Sequence, residues 1–385
     1  MFALSIGILV MFFLKSIFQT YDWKRSFNSL TIAWFIWFLY CLFELFNPLA
    51  VSDAWLIAIN GYAIFALISA IIIPIIFPRF KNFHWLLILW AILSILAAMK
   101  GYWQKNHGFD AAELHWLFAE DGARTHLIYS GIRYFSFFSD AANFGITMGL
   151  SMTVFGISGF FVKTRWVKFL FLGAAVASSY GLLISGTRSA VVVPLAGLCV
   201  YIVLCKNIKY LILSGGLLVA VLFILTQTKI GDSNPLIWRV RSTFDKEDAS
   251  FKVREINKEK MKPLMRDKPF GIGLGLSGGR MERFDIDSKL SKLPPDSLLT
   301  MYWIETGIVG ISLYLSLLVI IFIRASYIAM FIVKDKQLRN ILFSIIAGLA
   351  GVFVAAYAND ITTYPNGILI NILFVFLFVA PYYDK

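Results

Sequence analysis

Eleven apolar runs, most of them close to the length of a bilayer crossing, follow one another along this chain, a pattern that no water-soluble fold accommodates. They lie at about 1–18, 28–48, 54–77, 83–100, 141–161, 166–185, 189–205, 209–226, 299–323, 340–358 and 364–381. A membrane helix needs roughly 20 apolar residues. Helices are the only open choice for such runs, because in lipid every backbone N–H and C=O must find a partner within its own segment. Of the 385 residues 59% are apolar and 15% charged, against about half and a quarter in a soluble domain. An ordinary soluble enzyme and a disordered chain are both excluded. The expected fold class is an all-α integral membrane protein of about 11 transmembrane helices with one large extracytoplasmic loop.

Charge orients the runs. Lys15, Lys24, Arg25, Arg79, Lys81, Lys163, Arg165, Lys168, Lys206, Lys209, Arg324, Lys334, Lys336 and Arg339 all fall in one alternating set of connections. The other short connections, 49–53, 186–188 and 359–363, hold Arg188 alone. Positive residues stay inside, so the first set is cytoplasmic. The start is then outside, the C-terminal end inside, and both long connections, 101–140 and 227–298, face outward. The net charge of +12 follows from this bias and from basic loops near anionic lipid. Membrane lipid is the expected partner and nucleic acid is not. The chain divides into N-terminal membrane helices 1–226, including the outer loop 101–140, a large extracytoplasmic loop 227–298, and C-terminal membrane helices 299–385.

The large loop holds 15 Lys/Arg and 11 Asp/Glu. Its stretch 248–262 reads as a helix, with Asp248 as N-cap, Val253, Ile256 and Met261 on one side, and Pro263 as the stop. Arg254, Lys258 and Lys262 form a basic stripe at four-residue spacing. The stripe is either a solvated or head-group-facing surface or a clamp for a diphosphate. Gly273, Gly275 and Gly278 match G-x-G-x-x-G, but no strand–helix unit surrounds them. They read as a tight turn close to the bilayer, or as exposed amides for an anion. The loop ends in Leu293-Pro294-Pro295-Asp296-Ser297. Either Asp296 or Ser297 caps the next helix, or Asp296 serves as a general base at the membrane surface. Glu305, about two turns further on, is expected to face a polar cavity, since an acidic residue at that depth is costly.

Arg188, in Ser185-Gly186-Thr187-Arg188-Ser189-Ala190, breaks the charge trend. It either snorkels to lipid phosphate or binds an anionic ligand, for which its planar fork is suited. Arg133 adds a second basic group at the same level, or pairs with Asp140. Asp360, beside Asn359, can line the same cavity or bind sugar hydroxyls. His84, His107, His115 and His126 form no metal-ligand pattern and read as ordinary surface or interface residues.

The SGTRSA turn between two spans, a large outer loop carrying an arginine-headed helix and then PFGIGLG, and a closing span beginning IETGIVGISLYL together resemble the bacterial O-antigen ligase and O-antigen polymerase family. The resemblance covers about 170–325. It implies a multi-span glycosyltransferase whose donor glycan is carried on a polyprenyl diphosphate at the outer face of the bacterial cytoplasmic membrane. The acceptor is a lipid A core for a ligase or another lipid-linked glycan for a polymerase, with no metal or nucleotide cofactor. It maps the family's arginines onto Arg188 and Arg254. Ligases usually carry a histidine before the closing span; Pro295-Asp296-Ser297 stands there instead, which makes Asp296 the candidate substitute. Members often have twelve spans, one more than the eleven counted here. The residues expected in catalysis are thus Asp296, Arg188 and Arg254, and the charge and position of Arg133, Lys258, Glu305 and Asp360 make them the expected substrate-binding residues. A transporter of lipid-linked sugar would instead place functional charges midway along several spans, and a non-catalytic subunit would tolerate loss of Arg188 and Arg254.

Overall fold

The computed structural model describes residues 2–18, 20–120, 122–128, 131–206, 249–284, 289–295, 297–361 and 365–384, with scattered positions from 209 to 228 besides. Among them eight helices are long and apolar enough to cross a membrane: Ser29–Phe46, Ser52–Ile76, Phe83–His107, Ala141–Ser158, Arg165–Ile184, Arg188–Cys205, Leu298–Ile332 and Lys336–Ala355. Asn366–Tyr382 is a shorter apolar helix, and Phe2–Phe18 spans 17 residues. The apolar run at 209–226 lies largely outside the described residues. The chain is an all-α membrane protein. Its described strands are one hairpin, β1 (Leu127–Ile128) and β2 (Gly131–Ile132).

The chain forms two compact units, each discontinuous in sequence. One comprises 83–248 and 329–366, the other 1–82, 249–328 and 367–385.

In the first unit α8 (Ala141–Ser158), α9 (Arg165–Ile184), α10 (Arg188–Cys205) and α13 (Lys336–Ala355) pack together. Lipid tails are as apolar as these side chains, so close van der Waals packing rather than the hydrophobic effect holds membrane helices together. Small residues permit it: a Cβ on Gly351 would collide with the Val193 backbone carbonyl. α8 is the centre, with Gly145 and Gly149 closely approached by α10. Outside the bundle, α6 (Ala111–Ala119) starts in a capping box of Asp110 and Glu113, and Lys100 bridges both carboxylates at 2.9 Å.

In the second unit α2 (Ser29–Phe43), α3 (Ser52–Ile59), α4 (Phe65–Ile76), α11 (Ala249–Met265) and α12 (Leu298–Tyr327) carry the core. A π-turn at Asn60–Ile64 joins α3 to α4. It leaves the Tyr62 carbonyl to accept the buried Trp37 indole N–H at 2.9 Å. Tyr302 stacks on Trp37 and Tyr62 at centroid distances of 5.7 and 4.7 Å, bracing the first half of α12.

α11 departs from the sequence expectation. It runs through Pro263 to Met265, while its expected cap, Asp248, lies outside the described residues. Val253 and Ile256 are 53% and 51% exposed, and of the three residues expected on one side only Met261 is buried. The inward face is set by Met261 and Met265, which pack with Ile272, Leu276 and Ile304. That packing prolongs the helix past the proline.

Candidate functional site

In the first unit the SGTR turn is built from its hydroxyls. Ser185 ends α9 and donates to the Leu182 carbonyl at 2.7 Å, while its oxygen accepts from the Thr187 amide at 3.2 Å. Thr187 donates to the Ala141 carbonyl at 2.9 Å, tying the turn to the first residue of α8. The Arg133 guanidinium donates to the Thr187 hydroxyl at 2.8 Å and to the Thr125 carbonyl at 3.0 Å. Arg188 follows Thr187 directly and is half-buried at the start of α10. A helix N-terminus adds partial positive charge, so a second cation there reinforces an electropositive spot. Ser189 is bonded by the Asn359 amide, which brings the segment bearing Asp360 to the same turn. Arg133, Arg188 and Asp360 therefore gather around Thr187 and Ser189.

Beside them Asp140 caps α8, accepting the Asn143 amide at 2.8 Å and its side-chain nitrogen at 2.6 Å. Asn143 in turn accepts from Asn366 at 2.7 Å, and Asn366 accepts from Thr147.

His126, expected to be an ordinary surface or interface residue, is 2% exposed. Its Nε2 accepts the Ala141 N–H at 3.0 Å, so its proton sits on Nδ1, facing the Gly122 carbonyl at 3.0 Å. Its own carbonyl takes the Arg133 amide at 2.9 Å. Burial lowers its pKa, and the nearby Arg133 charge acts in the same direction. No periodic signal marks this burial, because the ring is held by backbone groups of Gly122 and Ala141 that carry no residue signature.

In the second unit the glycine loop docks into a break in α12. Gly307 has φ 66° and ψ −171°, a region essentially limited to glycine. The break frees backbone groups of Ile304, Glu305 and Thr306. Ile272 N–H donates to the Ile304 carbonyl at 3.0 Å, Gly273 N–H to the Glu305 carbonyl at 3.1 Å, and the Tyr40 hydroxyl to the Thr306 carbonyl at 2.8 Å. Val309 N–H donates back to the Pro269 carbonyl at 3.1 Å. Irregular backbone at membrane depth is tolerated where protein satisfies it, as here. Glu305 is fully buried. It was expected to face a polar cavity; its carboxylate instead accepts the amides of Gly275 at 2.7 Å and Ser277 at 3.1 Å, with Arg280 at 3.7 Å. The amides that could hold an anion hold one from their own chain. The Tyr62 hydroxyl lies within electrostatic range of Glu305 and Arg280 without a well-formed hydrogen bond.

Arg254 is half-buried and Lys258 exposed on α11. Ser297, rather than Asp296, caps α12, its hydroxyl accepting the Thr300 amide at 3.1 Å. Asp296 lies outside the described residues. Arg133, Arg188 and Asp360 thus belong to one unit, Arg254, Lys258 and Glu305 to the other.

Comparisons with curated proteins and with solved structures return no match. Residues 173–315 match the family model described as O-antigen ligase, a stretch that includes the SGTR turn, α11, the glycine loop and the break in α12. Over that stretch the chain is similar to an O-antigen ligase/polymerase-like family.

Proposed function

We propose that this chain transfers a glycan from a polyprenyl diphosphate carrier to an acceptor hydroxyl at the outer face of the bacterial cytoplasmic membrane. The observation that carries the reading is the gathering of Arg133 and Arg188 around Thr187, at a turn inside the matched stretch. Arg188 binds the diphosphate and Arg133 adds positive charge beside it; in the other unit Arg254 serves catalysis and Lys258 binds substrate. Asp360 binds sugar hydroxyls. As the glycosyl bond breaks, negative charge grows on the leaving diphosphate. Fixed guanidinium groups in a water-poor site stabilise that charge without reorganising. In this reading they, rather than a metal ion, neutralise the leaving group.

An acceptor hydroxyl is a weak nucleophile. Asp296 takes its proton while the acceptor oxygen bonds to the anomeric carbon. The bond from that carbon to the diphosphate oxygen breaks, and the electron pair leaves with the diphosphate. Attack from the face opposite the leaving group inverts the anomeric centre. The acceptor is another lipid-linked glycan for a polymerase or a lipid A core for a ligase.

The glycan profile of a deletion strain tests the reading. Loss of long chains with single repeats retained identifies a polymerase. Accumulation of long lipid-linked chains identifies a ligase. Units trapped on the inner leaflet would mean transport instead, and an unchanged profile would overturn the proposal. Reporter fusions after residues 120, 240 and 362 test the orientation; a cytoplasmic signal at 240 would move the large loop away from the donor.

A further inference from the structure

We infer that Glu305 is a positioning residue: by holding the glycine loop in the break of α12, its carboxylate sets where α11 carries Arg254 and Lys258. The inference rests on the proposed function only for its consequence on transfer; the positioning itself is a property of the second unit.

A charged residue at bilayer depth costs roughly 2.5–3.5 kcal/mol even by permissive scales. Glu305 sits there with no exposed surface, so its partners must compensate. They are two loop amides and, more distantly, Arg280. Both carboxylate oxygens are used, Oε2 by Gly275 and Oε1 by Ser277. Only a group with two acceptor oxygens at this spacing meets both donors. Glutamine offers one oxygen and one NH2, and the NH2 would face a backbone N–H. Aspartate is one methylene too short.

The loop so held is joined to α11 by a short, bonded connection. Lys268 N–H donates to the Met265 carbonyl at 3.1 Å, and Gly271 N–H to the Lys268 carbonyl at 3.0 Å. Side chains continue the link, since Met261 and Met265 of α11 pack on Ile272 and Leu276 of the loop and on Ile304 of α12. Arg254 lies seven residues before Met261, and Lys258 seven before Met265. Seven residues are nearly two full helical turns, so each basic residue stands on the face that the loop anchors. Loss of docking would therefore release that face together with its cations.

The test uses the full chain in lipid nanodiscs. Amide exchange is followed over 250–278, alongside glycan transfer from a polyprenyl diphosphate-linked donor. Glu305→Gln should raise exchange at Gly275 and Ser277 by about tenfold or more, the factor represented by one lost charge-assisted hydrogen bond. Exchange should also rise along α11, while that of α8 and α10 stays unchanged. Transfer should fall through a higher KM for the donor at low concentration, and Glu305→Asp should recover little. Gly271→Ala, which keeps the glutamate but places a Cβ 2.5 Å from the Glu305 carbonyl, should give the same exchange pattern. If Glu305→Gln exchanges like the parent, the side chain is only core volume and the inference fails. It fails equally if transfer is lost with exchange over 250–278 unchanged, since Glu305 would then act on substrate directly. If exchange rises as expected and transfer is unaffected, the positioning stands and the proposed role of Arg254 and Lys258 falls.

Discussion

Two glycine-bearing turns do opposite things with charge. In the SGTR turn neutral hydroxyls satisfy the backbone: Ser185 and Thr187 bond to Leu182 and Ala141. The cations Arg133 and Arg188 are set around that frame. In the PFGIGLG loop the charge is itself the frame, because Glu305 satisfies two amides and is buried by doing so. A charged residue in a membrane sequence is therefore not functional by rarity alone. What decides is whether nearby backbone needs a partner. Around the SGTR turn the hydroxyls meet that need; in the PFGIGLG loop the carboxylate meets it, and the charge becomes structure.

The largest effect that would break this comparison is at the arginines. Arg188→Ala and Arg254→Ala should each lower transfer by about 10²–10³-fold, the scale of removing one electrostatic stabiliser of a transition state, with protein still in the membrane. Arg188→Lys should recover part of the loss, since an ammonium lacks the planar fork. Normal glycan from both alanine variants would put these cations in the same structural class as Glu305.

Asp296→Asn comes next. Loss of a general base costs about 10²–10⁴-fold, so transfer should drop by two or more orders of magnitude while abundance holds. Since Ser297 caps α12, Asp296→Ala should be no less stable than Asp296→Asn. A fully active Asn variant would end the general-base role and turn attention to Asp360.

Gly307→Ala tests the frame of the second unit alone. A Cβ there would collide with the Pro269 carbonyl, and the backbone conformation itself costs about 1–3 kcal/mol for other residues. The thermal midpoint should fall, and the α11 segment should become protease-sensitive. An unchanged midpoint would mean that the break in α12 is not required.

Much of the helical frame could be read from hydropathy. The runs at 166–185 and 189–205 become Arg165–Ile184 and Arg188–Cys205, since the demand for continuous apolar surface is written directly in residue type. Arg188 stood out because its charge is in the wrong connection for its sign. The break at Gly307 was hidden: the run IETGIVGISLYL is apolar on both sides, and hydropathy carries no information about φ. The role of Glu305 was hidden because its partners are amides about 30 residues upstream, and an amide has no residue signature. The inward face of α11 was hidden for a related reason. Val253 and Ile256 are as apolar as the methionines, but only docking of the loop selects Met261 and Met265.

The smallest effect concerns acid, and it falls on His126. The ring is held neutral: burial keeps its pKa below the ordinary 6.5, Arg133 adds to that, and the Gly122 carbonyl and Asp140 oppose it. A histidine whose pKa is lowered by folding contributes fully above 6.5. The contribution is lost as pH falls toward the folded-state value, because the unfolded chain takes up the proton first. Once protonated, Nε2 cannot accept the Ala141 N–H, and the strut between the outer loop and the start of α8 opens. Protection of the Ala141 amide, corrected for intrinsic exchange, should therefore decrease below pH 6.5, together with that of the Arg133 amide bonded to the His126 carbonyl. His126→Phe keeps an aromatic ring against Trp116 and Phe135, which lie at 5.0 and 5.2 Å, but leaves a buried N–H without an acceptor. It should cost about 1–3 kcal/mol and abolish the acid dependence of exchange at Ala141. Protection that is flat down to pH 5 in the parent would show that the neutral ring is not what fixes Arg133 beside Thr187, and the hydroxyl frame of the SGTR turn would then have to hold the arginine alone.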